Sequence, residues 1–175
     1  SLRSTLTGNN VNSSLSISLG EQAGNSWQQE KTIAIGNYAA YQNQALFGIA
    51  IGVTAGQSPQ NQYAIAFGWG AGTWSQGESC IAIGKAAGND RQESGAISIG
   101  DTAGKSLQGI EAIAIGTLAG ENDQDSFAIA IGPAAGRYNA QGDSAVAIGH
   151  NAGNDNQGNY TVALGTHSAT NNQAD

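Results

Sequence analysis

The sequence of 175 residues predicts an all-β fold, namely a parallel β-solenoid (a β-roll) of about ten 16-residue coils. Three observations lead to this prediction: a segment of the type Ile-Ala-Ile-Gly recurs ten times, its copies are 16 residues apart with a single spacing of 17, and one glutamine returns with the same period. Because sixteen residues are too few for a pair of helices, each repeat is expected to form one coil with a strand and a second extended segment. The repeats divide the chain into a lead-in over residues 1–13 and a single solenoid domain over residues 14–175.

Each repeat contains a short strand that ends at a glycine. In the copy that ends at Gly116, Ile113 and Ile115 flank Ala114, and the other copies keep large apolar residues at these two flanking positions. This alternation of β-branched and small residues is typical of a strand. The glycine ends the strand, and in most coils a second glycine four residues later, such as Gly120, permits a tight turn.

Neither face of the predicted strand carries charge. One face is large and apolar, and the other consists of alanine, serine and glycine. Strands that are apolar on both faces are usually buried on both faces, whereas a narrow coil has one interior. We therefore expect the second face to meet another chain, because a flat surface of small residues allows close approach. The sequence thus predicts an obligate homo-oligomer with rotational symmetry.

A glutamine follows the strand-ending glycine by eight residues in each coil. These residues are Gln28, Gln44, Gln60, Gln76, Gln92, Gln108, Gln124, the shifted Gln141, Gln157 and Gln173. The column could bind a ligand, or its stacked amides could bond from coil to coil as in other stacked sheets. Its presence in every coil favours the structural interpretation. The extra residue of the 17-residue spacing falls between Gly136 and Gln141, where we expect a loop.

Composition and charge exclude several classes of function. The net charge of −7, from 13 acidic and 6 basic residues, argues against nucleic acid and against an anionic membrane surface. No apolar run approaches the roughly 20 residues of a membrane helix, so this segment is not expected to insert into a membrane. The single cysteine, Cys80, permits no internal disulfide, and its place in the column of Ala64 and Ala96 predicts a buried small apolar residue.

No catalytic constellation emerges from the sequence. His150 and His167 fall in different columns with no acid spaced to orient them. We therefore expect no enzyme activity, no metal site and no cofactor. Two further functions lack their signature: ice binding would need a repeated exposed threonine column, and a polysaccharide-cleaving spike would need paired acids.

Aromatic residues cluster in the second to fourth coils, outside the isoleucine positions, and Trp27 precedes them by one coil. Exposed tryptophan and tyrosine are typical anchors for glycans and proteins. The candidate ligand-binding residues are Tyr38, Tyr41, Tyr63, Trp69 and Trp74. The alternative interpretation is that these side chains cover a subunit seam or a turn.

Residues 144–153 (SAVAIGHNAG) and 161–170 (TVALGTHSAT) resemble the head repeats of the YadA-like trimeric autotransporter adhesins. Similar repeats are found in phage and large-virus fibre proteins. The resemblance extends over every coil, and it implies a left-handed parallel β-roll that packs as a homotrimer and serves as a surface-displayed adhesive head. The coil of this chain is longer than the usual head repeat because of the glutamine-containing turn.

Two functional hypotheses follow. The first is a non-enzymatic, extracellular adhesive and structural fibre module, carried on a cell surface or a virion fibre and binding a host surface protein or glycan. The second is a purely structural filament or spacer whose coils stack end to end between chains, since an uncapped solenoid end is an open edge for pairing.

Overall fold

A computed structural model describes residues 15–170, and the structural statements below concern that part of the chain. There the chain is all-β, with sixteen short strands and no helix. The predicted parallel β-solenoid is confirmed, with about nine turns of roughly 16-residue coils. The predicted lead-in over residues 1–13 and the last glutamine of the column, Gln173, lie outside the described residues.

The strands form two parallel sheets. In chain order they are β1 (Ile17–Leu19), β2 (Ile33–Ile35), β3 (Ile49–Ile51), β4 (Ile65–Phe67), β5 (Trp74–Gln76), β6 (Ile81–Ile83), β7 (Asp90–Gln92), β8 (Ile97–Ile99), β9 (Ser106–Gln108), β10 (Ile113–Ile115), β11 (Asn122–Gln124), β12 (Ile129–Ile131), β13 (Tyr138–Gln141), β14 (Val146–Ile148), β15 (Asp155–Gln157) and β16 (Val162–Leu164). The first sheet has ten strands in the order β1-β2-β3-β4-β6-β8-β10-β12-β14-β16, and the second sheet has six in the order β15-β13-β11-β9-β7-β5.

A new coil begins at each strand of the first sheet. Coils 1 to 9 are residues 17–32, 33–48, 49–64, 65–80, 81–96, 97–112, 113–128, 129–145 and 146–161. Neighbouring strands pair so that equivalent residues are adjacent, as in Ile113 against Ile129 and Ala114 against Ala130. Each side chain therefore stacks on a side chain of the same kind in the next coil.

The interior of the coil is lined by small residues, which corrects the expected orientation of the first sheet. The middle residue of each strand, such as Ala114 or Ala130, is fully buried, whereas the two flanking residues point outwards. The small-residue face therefore lies inside the coil, and the large apolar face is the one left uncovered. The physical reason is space: alanine leaves room for the glutamine side chain that approaches from the opposite wall.

Buried glutamines form a continuous ladder along the solenoid, as the sequence predicts. The nine side chains Gln28, Gln44, Gln60, Gln76, Gln92, Gln108, Gln124, Gln141 and Gln157 are all at least 94% buried. In the first eight, Nε2 donates to the Oε1 of the next glutamine at 3.1–3.3 Å. The same Nε2 donates to a strand carbonyl of its own coil, as from Gln92 to Ile81 at 3.0 Å. The ladder thus joins the two walls within each coil and links successive coils.

The strand-ending glycines are required by both conformation and space. Gly100 has φ of +134°, and a Cβ added there would lie 2.7 Å from the carbonyl carbon of Gly116 in the next coil. The equivalent Gly165, which ends the last strand, would meet nothing within 4 Å. Close stacking of successive turns therefore excludes side chains at this column except at the end of the stack.

The 17-residue coil accommodates its extra residue inside a strand, where a loop was expected. Strand β13 is four residues long, and its register against β15 shifts between Tyr138 and Gln141. This is a bulge, in which two residues of one strand oppose one residue of its neighbour. The correction has a simple cause: a bulge absorbs the extra residue while keeping Gln141 in the buried ladder, and Gln141 still pairs with Gln124.

The second sheet begins only at coil 4, immediately after Pro59. The residue before each ladder glutamine has φ of 47–58° in Trp27, Asn43, Ser75, Arg91, Leu107, Asp123 and Asn156. Proline cannot adopt this conformation, because its ring holds φ near −65°, and it has no N–H to donate. In coils 1–3 the equivalent segments form isolated bridges in place of strands, such as those of Gln60 with Gln44 and Gln76. Backbone hydrogen bonds still connect them, as from Gln76 N to the Pro59 carbonyl at 3.1 Å.

Candidate functional site

The outer surface of the first sheet is an uninterrupted apolar face. We call it the isoleucine face, and it consists of the first and third residues of each strand: Ile17, Leu19, Ile33, Ile35, Ile49, Ile51, Ile65, Phe67, Ile81, Ile83, Ile97, Ile99, Ile113, Ile115, Ile129, Ile131, Val146, Ile148, Val162 and Leu164. It has no charged or polar side chain. With strands about 4.8 Å apart, it extends over roughly 45 Å.

The isoleucine face is only partly covered by the chain itself. Phe67 is 51% exposed and Ile83 is 38% exposed, and most of the others are half-buried by their neighbours along the stack. Scattered apolar side chains are normal on a protein surface, but a large contiguous patch marks a contact surface. The isoleucine face is therefore a periodic apolar surface and the candidate contact surface of the chain.

The predicted ligand-binding aromatics lie at several positions around the coil. Tyr38 and Tyr41 are in contact, with ring centroids 5.3 Å apart and planes tilted by 53°. Trp69 and Trp74 are each more than half exposed, and within residues 15–170 neither ring contacts another aromatic ring.

Tyr63 belongs to a second aromatic group. Its ring stacks on Phe47 at 5.2 Å with planes 4° apart, and Lys31 Nζ lies 5.3 Å from the Phe47 ring centroid. The three residues occupy the same position in successive coils. The five predicted residues therefore do not form one site: two contact each other, Tyr63 contacts Phe47, and the two tryptophans stand alone. Ligand binding by them stays a prediction.

A cavity of about 840 Å³ lies beside coils 1–3, on the side of the solenoid where the second sheet is not formed. It is lined by residues of each of these coils, among them Trp27 and Glu30 of coil 1, Asn43 and Leu46 of coil 2, and Pro59 of coil 3. None of its lining residues belongs to the isoleucine face. The volume falls within the range of small-molecule sites.

Neither the cavity nor its tryptophan is among the binding residues that the sequence predicts. Trp27 precedes the aromatic cluster by one coil, and in the structure it is 80% exposed at the cavity. The available signal was Pro59, the proline in the column that precedes the ladder glutamines. A proline there indicates an irregular coil only if the other residues of that column have a positive φ, and the sequence alone does not show φ.

Reactive groups are few. Cys80 is fully buried, as predicted, and burial raises the pKa of its thiol from 9.0 to about 11. His150 and His167 are adjacent, with ring centroids 5.2 Å apart, because their neighbouring columns meet across two coils. In the part of the chain that the structure describes, no group of three or more His, Cys, Asp or Glu side chains could hold a metal ion.

Burial, together with the neighbouring carboxylates of Asp143 and Asp123, raises the pKa of Asp125. Among residues 15–170 there is no helix of the length and apolarity needed to cross a membrane. Comparison of the chain with models of protein families, with curated proteins and with solved structures gave no significant match.

Proposed function

We propose that this chain is an extracellular adhesive and structural fibre module that assembles as a homotrimer through its isoleucine face. The observation that carries the proposal is the face itself, which is apolar, free of charge and continuous over ten strands. Leaving such a surface in water is unfavourable by about 25 cal/mol per Å². Burial against other chains is therefore the expected state.

A second copy of this chain is the partner that fits best. The face repeats at the strand spacing, so an identical copy in parallel orientation matches it coil by coil. Each of the ten strands contributes two outward side chains to the face. This number is close to the roughly 20–30 residues that each partner contributes to a stable interface. A threefold arrangement, with three flat faces around one axis, is the assembly that the resemblance to YadA-like heads implies, as is a left-handed coil.

The adhesive part of the proposal is supported by the aromatic residues. Tyr38, Tyr41, Tyr63, Trp69 and Trp74 lie outside the isoleucine face; Tyr63, Trp69 and Trp74 are exposed in the single chain, and Tyr38 and Tyr41 are half-buried. Such side chains suit a host surface protein or a glycan. A screen of glycans and matrix proteins with the intact oligomer, repeated with Trp69→Ala and Trp74→Ala, tests their part.

The mass of the purified protein in solution tests the assembly. We expect light scattering to give three times the 17.6 kDa of one chain. Ile83→Lys places a charge on the face and is expected to shift the mass towards the monomer. Leu107→Lys is the matched control, because Leu107 is similarly exposed (40% against 38%) but lies on the second sheet. A wild-type monomer, or equal effects of the two variants, would contradict the proposal.

Electron micrographs of the same sample distinguish the proposal from a spacer that stacks end to end. Discrete rods of roughly 45 Å are expected from side-by-side assembly of ten strands at about 4.8 Å. Long filaments that persist in Ile83→Lys would instead favour the filament hypothesis, because that variant leaves the two ends of the solenoid unchanged.

A further inference from the structure

We infer that the cavity beside coils 1–3 is a binding site for a neutral oligosaccharide. The inference rests on the adhesive part of the proposed function, and it assigns the site and the class of ligand. Four observations support it: a cavity of about 840 Å³, an exposed indole, a set of uncommitted amides, and a lining without a cationic side chain.

The cavity is a departure from an otherwise regular solenoid. From coil 4 onwards the second sheet forms an ordered wall, beginning with β5. Pro59 has no N–H to donate, and coils 1 and 2 retain only an isolated bridge between Ser26 and Gln42. Backbone hydrogen bonds still join these coils, as from Gln60 N to the Asn43 carbonyl at 3.1 Å and from Gln76 N to the Pro59 carbonyl at 3.1 Å. The cavity therefore lies beside the part of the wall where the regular strand pairing of the second sheet is absent.

Trp27 supplies the aromatic surface. Its φ of 58° places it in the left-handed region, and its side chain is 80% exposed at the cavity. The negative face of an indole attracts the positively polarised C–H groups that a pyranose presents on one side of its ring. Leu46 and Pro59 add apolar lining. One sugar ring can therefore stack on this indole.

Asn25, Asn43 and Asn61 supply the polar contacts. Each comes from a different coil, and each is two positions further along its coil than the one before, so the three form a diagonal across the lining. The amides of Gln28 and Gln60 are held in the ladder. The three asparagine side chains, in contrast, make no hydrogen bond within residues 15–170. An amide both donates and accepts, as a sugar hydroxyl does.

Charge selects the class of sugar. Glu30 is the charged residue of the lining, and neither lysine nor arginine lines the cavity. A carboxylate accepts hydrogen bonds from hydroxyl groups but repels another anion. The net charge of −7 adds to this repulsion. The site therefore fits a neutral oligosaccharide and disfavours sialylated, sulfated or uronic-acid chains.

Titration of the full-length protein with soluble trisaccharides tests the inference. The neutral probes are maltotriose, chitotriose and mannotriose, and 3′-sialyllactose is the anionic probe. We expect at least one neutral trisaccharide to saturate with Kd of about 1 mM or lower, as measured by calorimetry and by saturation-transfer NMR. The anionic probe is expected to bind at least about tenfold more weakly.

Variants assign the binding to the cavity. Trp27→Ala is expected to weaken it by at least about tenfold, and Asn43→Ala or Asn61→Ala by about three- to tenfold. Tyr160→Ala is the matched control, because Tyr160 is 77% exposed and has φ of 57° but does not line the cavity, and its affinity is expected to be unchanged. Circular dichroism of each variant checks that the fold is retained.

Three outcomes would overturn the inference: no neutral probe binding at 10 mM, an unchanged affinity in Trp27→Ala, or preferential binding of 3′-sialyllactose. The failure of the site is distinguishable from that of the proposed function. If immobilised glycans or matrix proteins retain the oligomer while Trp27→Ala has no effect, adhesion stands and the cavity is not its site. If the protein is monomeric but binding depends on Trp27, the site stands and the assembly does not.

Discussion

Coils 1–3 and coils 4–9 share one repeat but differ in their second wall. Both regions have the same first sheet, the same buried alanines and the same glutamine ladder. Coils 4–9 add a six-stranded second sheet, whereas coils 1–3 have isolated bridges and an open cavity. Backbone hydrogen bonds nevertheless join the second segments of coils 1–3, as from Ala45 N to the Gln60 carbonyl at 2.9 Å. The comparison shows that the coil stays closed without the regular strand pairing of the second sheet, which begins only in the coil after Pro59.

The largest effect is expected from introducing a proline at the position equivalent to Pro59 in the next coil. Ser75 has φ of 56° in the regular region, so Ser75→Pro should destabilise the fold by about 3 kcal/mol or more. The second sheet should then begin at β7 instead of β5. Urea unfolding gives the free energy, and hydrogen exchange of the Gln76 amide, which bonds to the Pro59 carbonyl at 3.1 Å, reports the local opening. Unchanged exchange and stability would show that the left-handed position is not required.

The glutamine ladder offers the next largest contrast. Gln92→Leu removes the donor to the carbonyls of Ile81 and Ala96 and breaks the amide chain in the middle, so a loss of about 2–4 kcal/mol in unfolding free energy is expected. Gln28→Leu acts at the first described coil, where its bond to Ile17 is long at 3.4 Å. Its cost should be about half as large. Equal costs in the two denaturant titrations would mean that the ladder is not cooperative.

Alkaline pH should act on the regular region through Cys80. Because the pKa of the thiol is about 11 in the folded chain and 9.0 when it is not buried, its contribution is fully present below pH 9 and is lost as the pH rises towards 11. The loss amounts to about 2–3 kcal/mol. Cys80→Ala, which restores the alanine of neighbouring coils, should remove this decrease in thermal or urea stability. Parallel pH profiles of the two proteins would contradict the role of the thiol.

The smallest change in stability is expected from repairing the interruption. Pro59→Ser restores an N–H and permits a positive φ, a gain of about 1 kcal/mol, but it also makes the unfolded chain more flexible by a similar amount. The net change should therefore be below about 1 kcal/mol. The structural effect should be local: the new amide at position 59 is expected to be protected from hydrogen exchange, like those of Ser58 and Gln60, which already donate backbone hydrogen bonds. If a crystal structure of this variant showed an unaltered cavity, Pro59 would not be the cause of the cavity.

The sequence predicts the first sheet and the ladder well because both are columns that every coil repeats. Ile113, Ala114 and Gln124 each lie where their column places them. The orientation of the first sheet was wrong because its two faces are both apolar, so hydrophobicity does not tell which one points inwards. The choice depends on the room needed by the glutamine on the opposite wall, a property of the closed coil and not of the strand.

The cavity could not be predicted because it depends on an exception to a column. The residues equivalent to Pro59 have a positive φ, which proline cannot adopt. Their residue types do not reveal this, because tryptophan, asparagine, serine and arginine all occur in that column. The extra residue between Gly136 and Gln141 was located correctly but was expected in a loop. A bulge replaced the loop because the buried amide of Gln141 keeps its place in the ladder.

The glutamine ladder also gives the rod a direction. Each amide in the series points its nitrogen towards the next coil along the chain and its oxygen towards the previous one. The amide dipoles therefore add from end to end, whereas the backbone dipoles of strands largely cancel. Within residues 15–170 the solenoid is therefore electrically polar along its axis, although its coils are nearly identical in sequence. Two copies placed head to tail would keep this dipole direction, whereas two copies placed head to head would oppose it.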